Sequence, residues 1–337
     1  MKKSGVGLIA LFLITLISTT KIQAQDKAFK CIVLGNSGGS EGNMSAYLLS
    51  GLKSDNFICI DAGTLQNGIS KALKEKSFGK FKLPKTEKLN PETFIMQNYI
   101  KGYLISHAHI DHIAALVSNA AIDSRKYIYA TQFTLENISN HIFNGRISAN
   151  WGSEGTKEPL KKYKYVTLPQ NNDIELIETE MSVRTFYTSH GNDYISSAFL
   201  IRSGNNHFLY FGDCGSDEIE RNNYMFEIWN SIAELIKEKK LNAIMIECSY
   251  PDEQPDNMLY GHLKPSLLTK ELDQLARRIN EKEPEKALKG LKIIISHVKA
   301  NGEKDDNTLN TIKYQLEKAN NLDVKYIFPK QGEKIEF

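Results

Sequence analysis

Cysteine and proline are scarce in this chain, four and nine residues among 337, and neither sign of charge dominates, the formal net charge being +2. Four cysteines, Cys31, Cys59, Cys214 and Cys248, are too few for a disulfide scaffold, and none has zinc-finger spacing. Cys31 and Cys59 fall in strands expected to be neighbours, where they would either bond or simply pack, as buried cysteine often does. Prolines and glycines are scattered, so no linker divides the chain, and it holds neither an internal repeat nor a low-complexity segment. Long apolar runs are wanting too. The one present, residues 6–17, is shorter than the roughly 18 residues of a spanning helix. It follows Lys2-Lys3 and precedes a polar stretch ending in Ala24, the three-part form of a secretory signal peptide, with no cysteine at the cut to carry a lipid. The expected organisation is a signal peptide over 1–24 and one domain over 25–337, exported to the periplasm or secreted, without a stable membrane anchor.

Cleavage there removes Lys2, Lys3 and Lys21 and no acid, so the 42 basic residues fall to 39 against 40 acidic ones. A near-neutral chain lacks the clustered Lys and Arg that neutralise a polyanion, which argues against nucleic acid and for a small substrate. The densest basic stretch, 157–164, reads as a solvated loop face.

What the chain does have is a series of short runs rich in β-branched and aromatic residues. They lie at 29–34, 57–61, 102–106, 126–130, 181–188, 197–202, 206–211, 243–247 and 291–296 and read as strands. Helical patterns occupy 65–78, 112–121, 131–143, 217–239, 264–282 and 306–320. Stacked sheets with outer helices, an α+β domain, is the economical reading, with 144–175 as a loop-rich insertion.

Residues 101–112 read KGYLISHAHIDH, three histidines and an aspartate in six positions just after an apolar strand. Side chains alternate along extended chain, so His107 and His109 face one side and can grip one ion. Asp111 and His112 fall where the backbone turns into a helix and can face a second. A lone histidine is more often a hydrogen-bonded core or surface residue, but this spacing is hard to obtain by accident. Imidazole with carboxylate suits zinc, and also manganese or iron. Further polar residues recur at strand ends: VRTFYTS precedes His190, FLYFG Asp213, AIMI Glu247 and KIIIS His297. Five strand ends can thus converge on one site.

At these residues the chain resembles the metallo-β-lactamase superfamily and, within it, the class II cyclic-nucleotide phosphodiesterases. The resemblance runs through LGNSGGSEGNMSAYLL, IDAGT, HAHIDHIAALVSNA, NHIFN, SHG with SSAFLI, YFGDCGSD, IECSY, GHLKPSLL and IISHVK. The His-x-His-x-Asp-His core is common to the superfamily, whereas GHLKPSLL and NHIFN look particular to the phosphodiesterases. The resemblance implies a four-layer αββα sandwich holding two divalent ions. It places His107, His109 and His190 on one ion and Asp111, His112 and His297 on the other, with Asp213 bridging. His141, on an expected helix, and His207, at the far start of a strand, are left as structural.

The resemblance also implies hydrolysis of 3′,5′-cyclic AMP or GMP to a nucleoside 5′-phosphate, with a hydroxide shared by the ions as nucleophile. Asp111, Glu247 and His262 are then the catalytic residues. His262 would protonate the departing 3′ oxygen, and Glu247 would fix its tautomer and raise its pKa. Two ions, two aspartates and a hydroxide leave a charge of about +1, suited to a phosphodiester monoanion. The alternatives are a tRNA-processing type ribonuclease, a lactonase or β-lactamase, and a non-enzymatic metal-binding protein on a degenerate fold. Export and neutral charge oppose the first, Asp213 and His262 oppose a β-lactamase more than a lactonase, and the intact set of seven ligands opposes the last.

Overall fold

The computed structural model describes residues 27–79, 88–191 and 194–337; the expected signal peptide lies outside them. Strands β1 (Phe29–Gly35), β2 (Ala46–Gly51), β3 (Phe57–Ile60), β4 (Ile100–Leu104), β5 (Lys126–Ala130) and β6 (Tyr163–Thr167) lie in one sheet. Strands β7 (Asp173–Leu176), β8 (Met181–Ser189), β9 (Ile195–Ser203), β10 (Asn206–Phe211), β11 (Leu241–Glu247), β12 (Lys292–Ser296) and β13 (Lys325–Ile327) form the other. The last strand, β14 (Lys334–Glu336), returns to pair antiparallel with β1 at the edge of the first sheet.

The inner faces of the sheets pack against each other through Val33, Tyr47, Leu104, Phe199, Tyr210 and Met245. Helices Gln66–Lys74, Pro91–Asn98 and Ile110–Asn119 cover the outer face of the first sheet, and Tyr224–Lys237, Pro265–Ile279 and Thr308–Lys318 that of the second. The result is the four-layer αββα sandwich expected. It explains why β11, LNAIMIE, is buried along its whole length: a central strand covered on both faces needs a continuous apolar run rather than alternation.

Strand direction decides where chemistry gathers. β10, β11 and β12 are parallel, and β8 reaches the same sense through two antiparallel steps across β9. Their C-terminal ends therefore share one edge of the sheet, which is where His190, Asp213, Glu247 and His297 stand. In the other sheet β4 runs parallel to β3 and β5 and delivers residues 105–112 from its own C-terminal end.

Three readings are corrected. The stretch 144–175 is not an insertion, because it supplies β6 and β7, an edge strand to each sheet. The helix expected over 217–239 is two, Asp217–Glu220 and Tyr224–Lys237. Arg221 takes a left-handed conformation (φ 55°), and the Asp217 carboxylate accepts from the amides of Met225 and Phe226, ending one helix and capping the next. Cys31 and Cys59 are not on neighbouring strands: β2 lies between theirs, and they face opposite sides of the sheet, one towards the inner core and one towards the helices. All four cysteines are buried and unbonded. Among the described residues no helix is long and apolar enough to cross a membrane.

At the outer edge of the first sheet Asp123 pairs with the buried Lys126 ammonium and accepts from the hydroxyls of Tyr103 (2.7 Å) and Tyr163 (3.0 Å). Removing one partner of such a pair strands the other charge. Asp123→Ala is expected to destabilise the fold by about 3–5 kcal/mol, read as a shifted midpoint in urea unfolding. A midpoint within about 1 kcal/mol of the parent would show that water replaces the lost partner.

Candidate metal centre

The helix Ile110–Asn119 begins where the His-Ala-His segment ends, with His109 as its N-terminal flanking residue and Asp111 in its first turn. A carboxylate there is favoured by the exposed amide dipoles. The helix docks on the turn after β3, where the Ala62 amide donates to the His112 carbonyl at 2.7 Å. Gly63 has no substitute in that turn, because a Cβ would meet the Asp111 carbonyl. This packing sets Asp111 and His112 against His107, whose ring centroid is 4.1 Å from that of His112 and 4.7 Å from that of His109.

Two donor sets result. His107, His109 and His190 form one, and Asp111, His112, Asp213 and His297 the other, with the candidate donor atoms within 4.8 Å of one another in each. Asp213 lies between them: its carboxylate is 3.2 Å from Nε2 of His112 and of His297, and 3.7 Å from Nε2 of His107 and of His190. The structure thus brings together all seven residues expected as ligands. His262 and Glu247 join at one side, the ring pairs His190–His262 and His262–His297 having centroids 4.7 and 5.2 Å apart. His141 is exposed and His207 sits at the opposite end of β10, so neither approaches.

The imidazoles are aimed by their outward nitrogens. Nδ1 of His112 meets Asp61 at 2.8 Å, that of His190 the Gly261 carbonyl at 2.9 Å, that of His107 the Ser106 hydroxyl at 3.0 Å and that of His297 the Ser249 hydroxyl at 3.1 Å. Each bond suits a proton on Nδ1 and turns Nε2 inward, the arrangement a metal ligand requires. Burial lowers the His112 pKa, but Asp213 and Asp61 outweigh it and hold the pKa raised, so an ion there would displace the proton from its Nε2. His109 presents Nδ1 instead, 3.2 Å from Nε2 of His190, its ring stacked on Tyr194 with centroids 4.5 Å apart. Gly261 is held at φ 79° against the His190 backbone, too close for a Cβ.

These residues fit divalent ions. Nε2 of His107 and of His112 is buried with no aligned hydrogen-bond partner, a costly arrangement for a polar atom unless something binds it. Burial, reinforced by neighbouring imidazoles, holds His107 and His190 below the usual histidine range and His109 at about 4, so all three are neutral near pH 7. Burial alone would raise the pKa of Asp111 and of Asp213. The surrounding histidines outweigh it and keep both carboxylates charged.

Glu247 is almost completely buried yet accepts four hydrogen bonds: from His262 Nδ1 (2.7 Å) and the Cys214 amide (2.9 Å) on one oxygen, from Ser249 Oγ (2.6 Å) and the Leu263 amide (3.2 Å) on the other. Burial pushes the His262 pKa down, but the Glu247 carboxylate more than offsets this and holds it raised.

Asp61 was given no role from the sequence, although it ends the apolar run FICI as Asp213 ends FLYFG. It takes the left-handed region at φ 53° and accepts from Ser106 and from Tyr210 Oη at 2.6 Å, joining the two sheets beneath the site. Ser106 and Ser249 were missed as well, because serine carries no metal-site signal until its neighbours are known.

Residues 28–332 match the family of class-II cAMP phosphodiesterases. A 3′,5′-cyclic-nucleotide phosphodiesterase of Aliivibrio fischeri is 35% identical over 326 residues, covering 96% of this chain and 98% of its own. A probable 3′,5′-cyclic-nucleotide phosphodiesterase of Yersinia pestis is 32% identical over 92% of this chain and 90% of its own. In fold, the crystal structure of unliganded yeast PDE1 superposes with a TM-score of 0.79 at 24% identity, covering 92% of this chain and 99% of that one.

Proposed function

This chain belongs to the class-II cAMP phosphodiesterase family, and from that premise we propose that it hydrolyses 3′,5′-cyclic nucleotides to nucleoside 5′-phosphates. The observation that carries the reading is the place of His262: bonded to Glu247 at 2.7 Å, it stands beside two donor sets that share Asp213. His107, His109 and His190 would hold one divalent ion and Asp111, His112 and His297 the other, with Asp213 shared and zinc the favoured metal on donor chemistry. Two such ions supply charge neutralisation at the phosphoryl oxygens and an activated water.

The chain's own groups do the rest. Asp111 and Asp213 balance the positive charge so that a monoanionic diester is held without being trapped. Glu247 keeps a proton on Nδ1 of His262, so the proton available to the substrate is the one on Nε2. Against the effect of burial, the Glu247 carboxylate raises the His262 pKa and so favours the imidazolium, and that acid protonates the departing 3′ oxygen. The burial of His190, Asp213, Glu247, His262 and His297 excludes bulk water from the charges that must act. Cyclic AMP and cyclic GMP, tested beside a linear diester, a lactone and nitrocefin with metal content measured on the same sample, decide the matter. The cyclic nucleotides should turn over fastest and yield 5′-phosphates; faster lactone or nitrocefin turnover would overturn the reading.

Export completes the proposal, with residues 25–337 as the mature enzyme. The support is Lys2-Lys3, the apolar run at 6–17 and Ala24. N-terminal sequencing of protein from the native host is expected to begin near Gln25, and full-length chain recovered from cytosol would count against it.

A further inference from the structure

Ser249 is completely buried at the turn after β11, and nothing in the proposed reaction uses it. Its hydroxyl has two roles available, one as acceptor and one as donor. Nδ1 of His297 lies 3.1 Å away; once an ion takes the inward Nε2, which faces Asp111 (3.1 Å) and Asp213 (3.2 Å), the one proton left on the ring is on Nδ1 and is donated outward to Ser249. The Ser249 proton then goes to the nearest acceptor, Glu247 Oε2, at 2.6 Å. The other oxygen of the same carboxylate holds His262. Backbone bonds lock the serine in place: its amide donates to the Leu263 carbonyl (3.0 Å) and its carbonyl accepts from the Lys299 amide (3.0 Å).

We propose that Ser249 is a positioning residue that ties the candidate acid to the metal centre, so that one buried carboxylate, Glu247, orients both His262 and the ligand His297. The same construction occurs on the other side of the site, where Asp61 bonds His112 directly and His107 through Ser106. Each carboxylate thus orients one histidine by contact and a second through a serine. Without the Ser249 hydroxyl, His297 has a buried N–H with no acceptor and no reason to keep its tautomer, which weakens its Nε2 as a donor. Losses of this kind are on the order of 10–100-fold in metal affinity.

The proposal rests on His297 holding an ion, and the test separates the two. Zinc dissociation constants are measured by chelator competition on the parent, Ser249→Ala and Ser249→Thr, with circular dichroism of each metal-free protein. The parent should bind two ions. Ser249→Ala should hold one as the parent does and the other about 10–100-fold more weakly, while Ser249→Thr, which keeps the hydroxyl, should recover most of the loss. Two ions held by Ser249→Ala as tightly as by the parent would overturn the role of Ser249 and leave the metal site standing. A parent that binds no ion would overturn both. If Ser249→Ala does not fold, Ser249→Cys, with its weaker acceptor, carries the same comparison: unchanged affinity for both ions sinks the proposal, a selective loss at one supports it.

Discussion

Asp213→Ala should cost the protein at least one of two divalent ions and nearly all of its turnover of cyclic nucleotides. No other carboxylate among the described residues stands so near four of the candidate imidazole donors, at 3.2 Å from two and 3.7 Å from two more. Removing it deletes a donor from one set and the anion that faces both. The expected loss of activity exceeds about 10³-fold, beyond the 10²–10³-fold typical of a single electrostatic contact, because ion binding and charge balance fail together. Elemental analysis after loading with zinc or manganese, alongside turnover of cyclic AMP, reads both effects. Two ions retained with activity within about tenfold of the parent would remove Asp213 from the centre of the site. Asp213→Asn, which keeps the shape and one oxygen acceptor but not the charge, should fall between the two and shows how much of the loss is electrostatic.

The centre was legible in the sequence wherever it obeyed a local rule. HAHIDH declares itself by spacing, and His190, Asp213, Glu247 and His297 share a position, just past or at the end of an apolar strand. That position has meaning only because β8, β10, β11 and β12 run in one sense. What stayed hidden depends on contacts between distant segments. Asp61 meets Tyr210 across 149 residues, and Ser249 meets His297 across 48. No spacing rule reaches that far.

Two of the missed strands have the same cause. β13 and β14 are three residues each, KYI and KIE, too short and too charged to carry an apolar signal. They become strands by pairing, Lys30 of β1 standing opposite Glu336 and Ile294 of β12 opposite Ile327. Edge strands with charged side chains are what a sheet needs to avoid further pairing, so the composition that conceals them from periodicity is the one their place demands. Cys31 and Cys59 illustrate the complementary error. Order along the chain suggested neighbours, whereas β2 intervenes and β-strand alternation turns the two thiols to opposite faces.

His262→Ala should retain both ions and lose roughly 10²–10⁴-fold in turnover of a cyclic nucleotide, the usual range for a general acid. The fold should survive, since Glu247 keeps donors in the amides of Cys214 and Leu263 and in the hydroxyl of Ser249. Substrate choice then separates the roles open to His262. A p-nitrophenyl diester expels a phenolate that needs no proton, so the mutant should recover much of its rate there, while the 3′ alkoxide of a cyclic nucleotide still needs one. Equal losses on the two substrates would assign His262 to binding or structure. Loss of an ion would make it a ligand, an outcome with a geometric basis, because its ring nitrogens also lie within reach of two further donor groups, His190 with Asp213 and Glu247 with His297. The Nδ1–Glu247 bond suits either role, and metal content in the mutant decides between them.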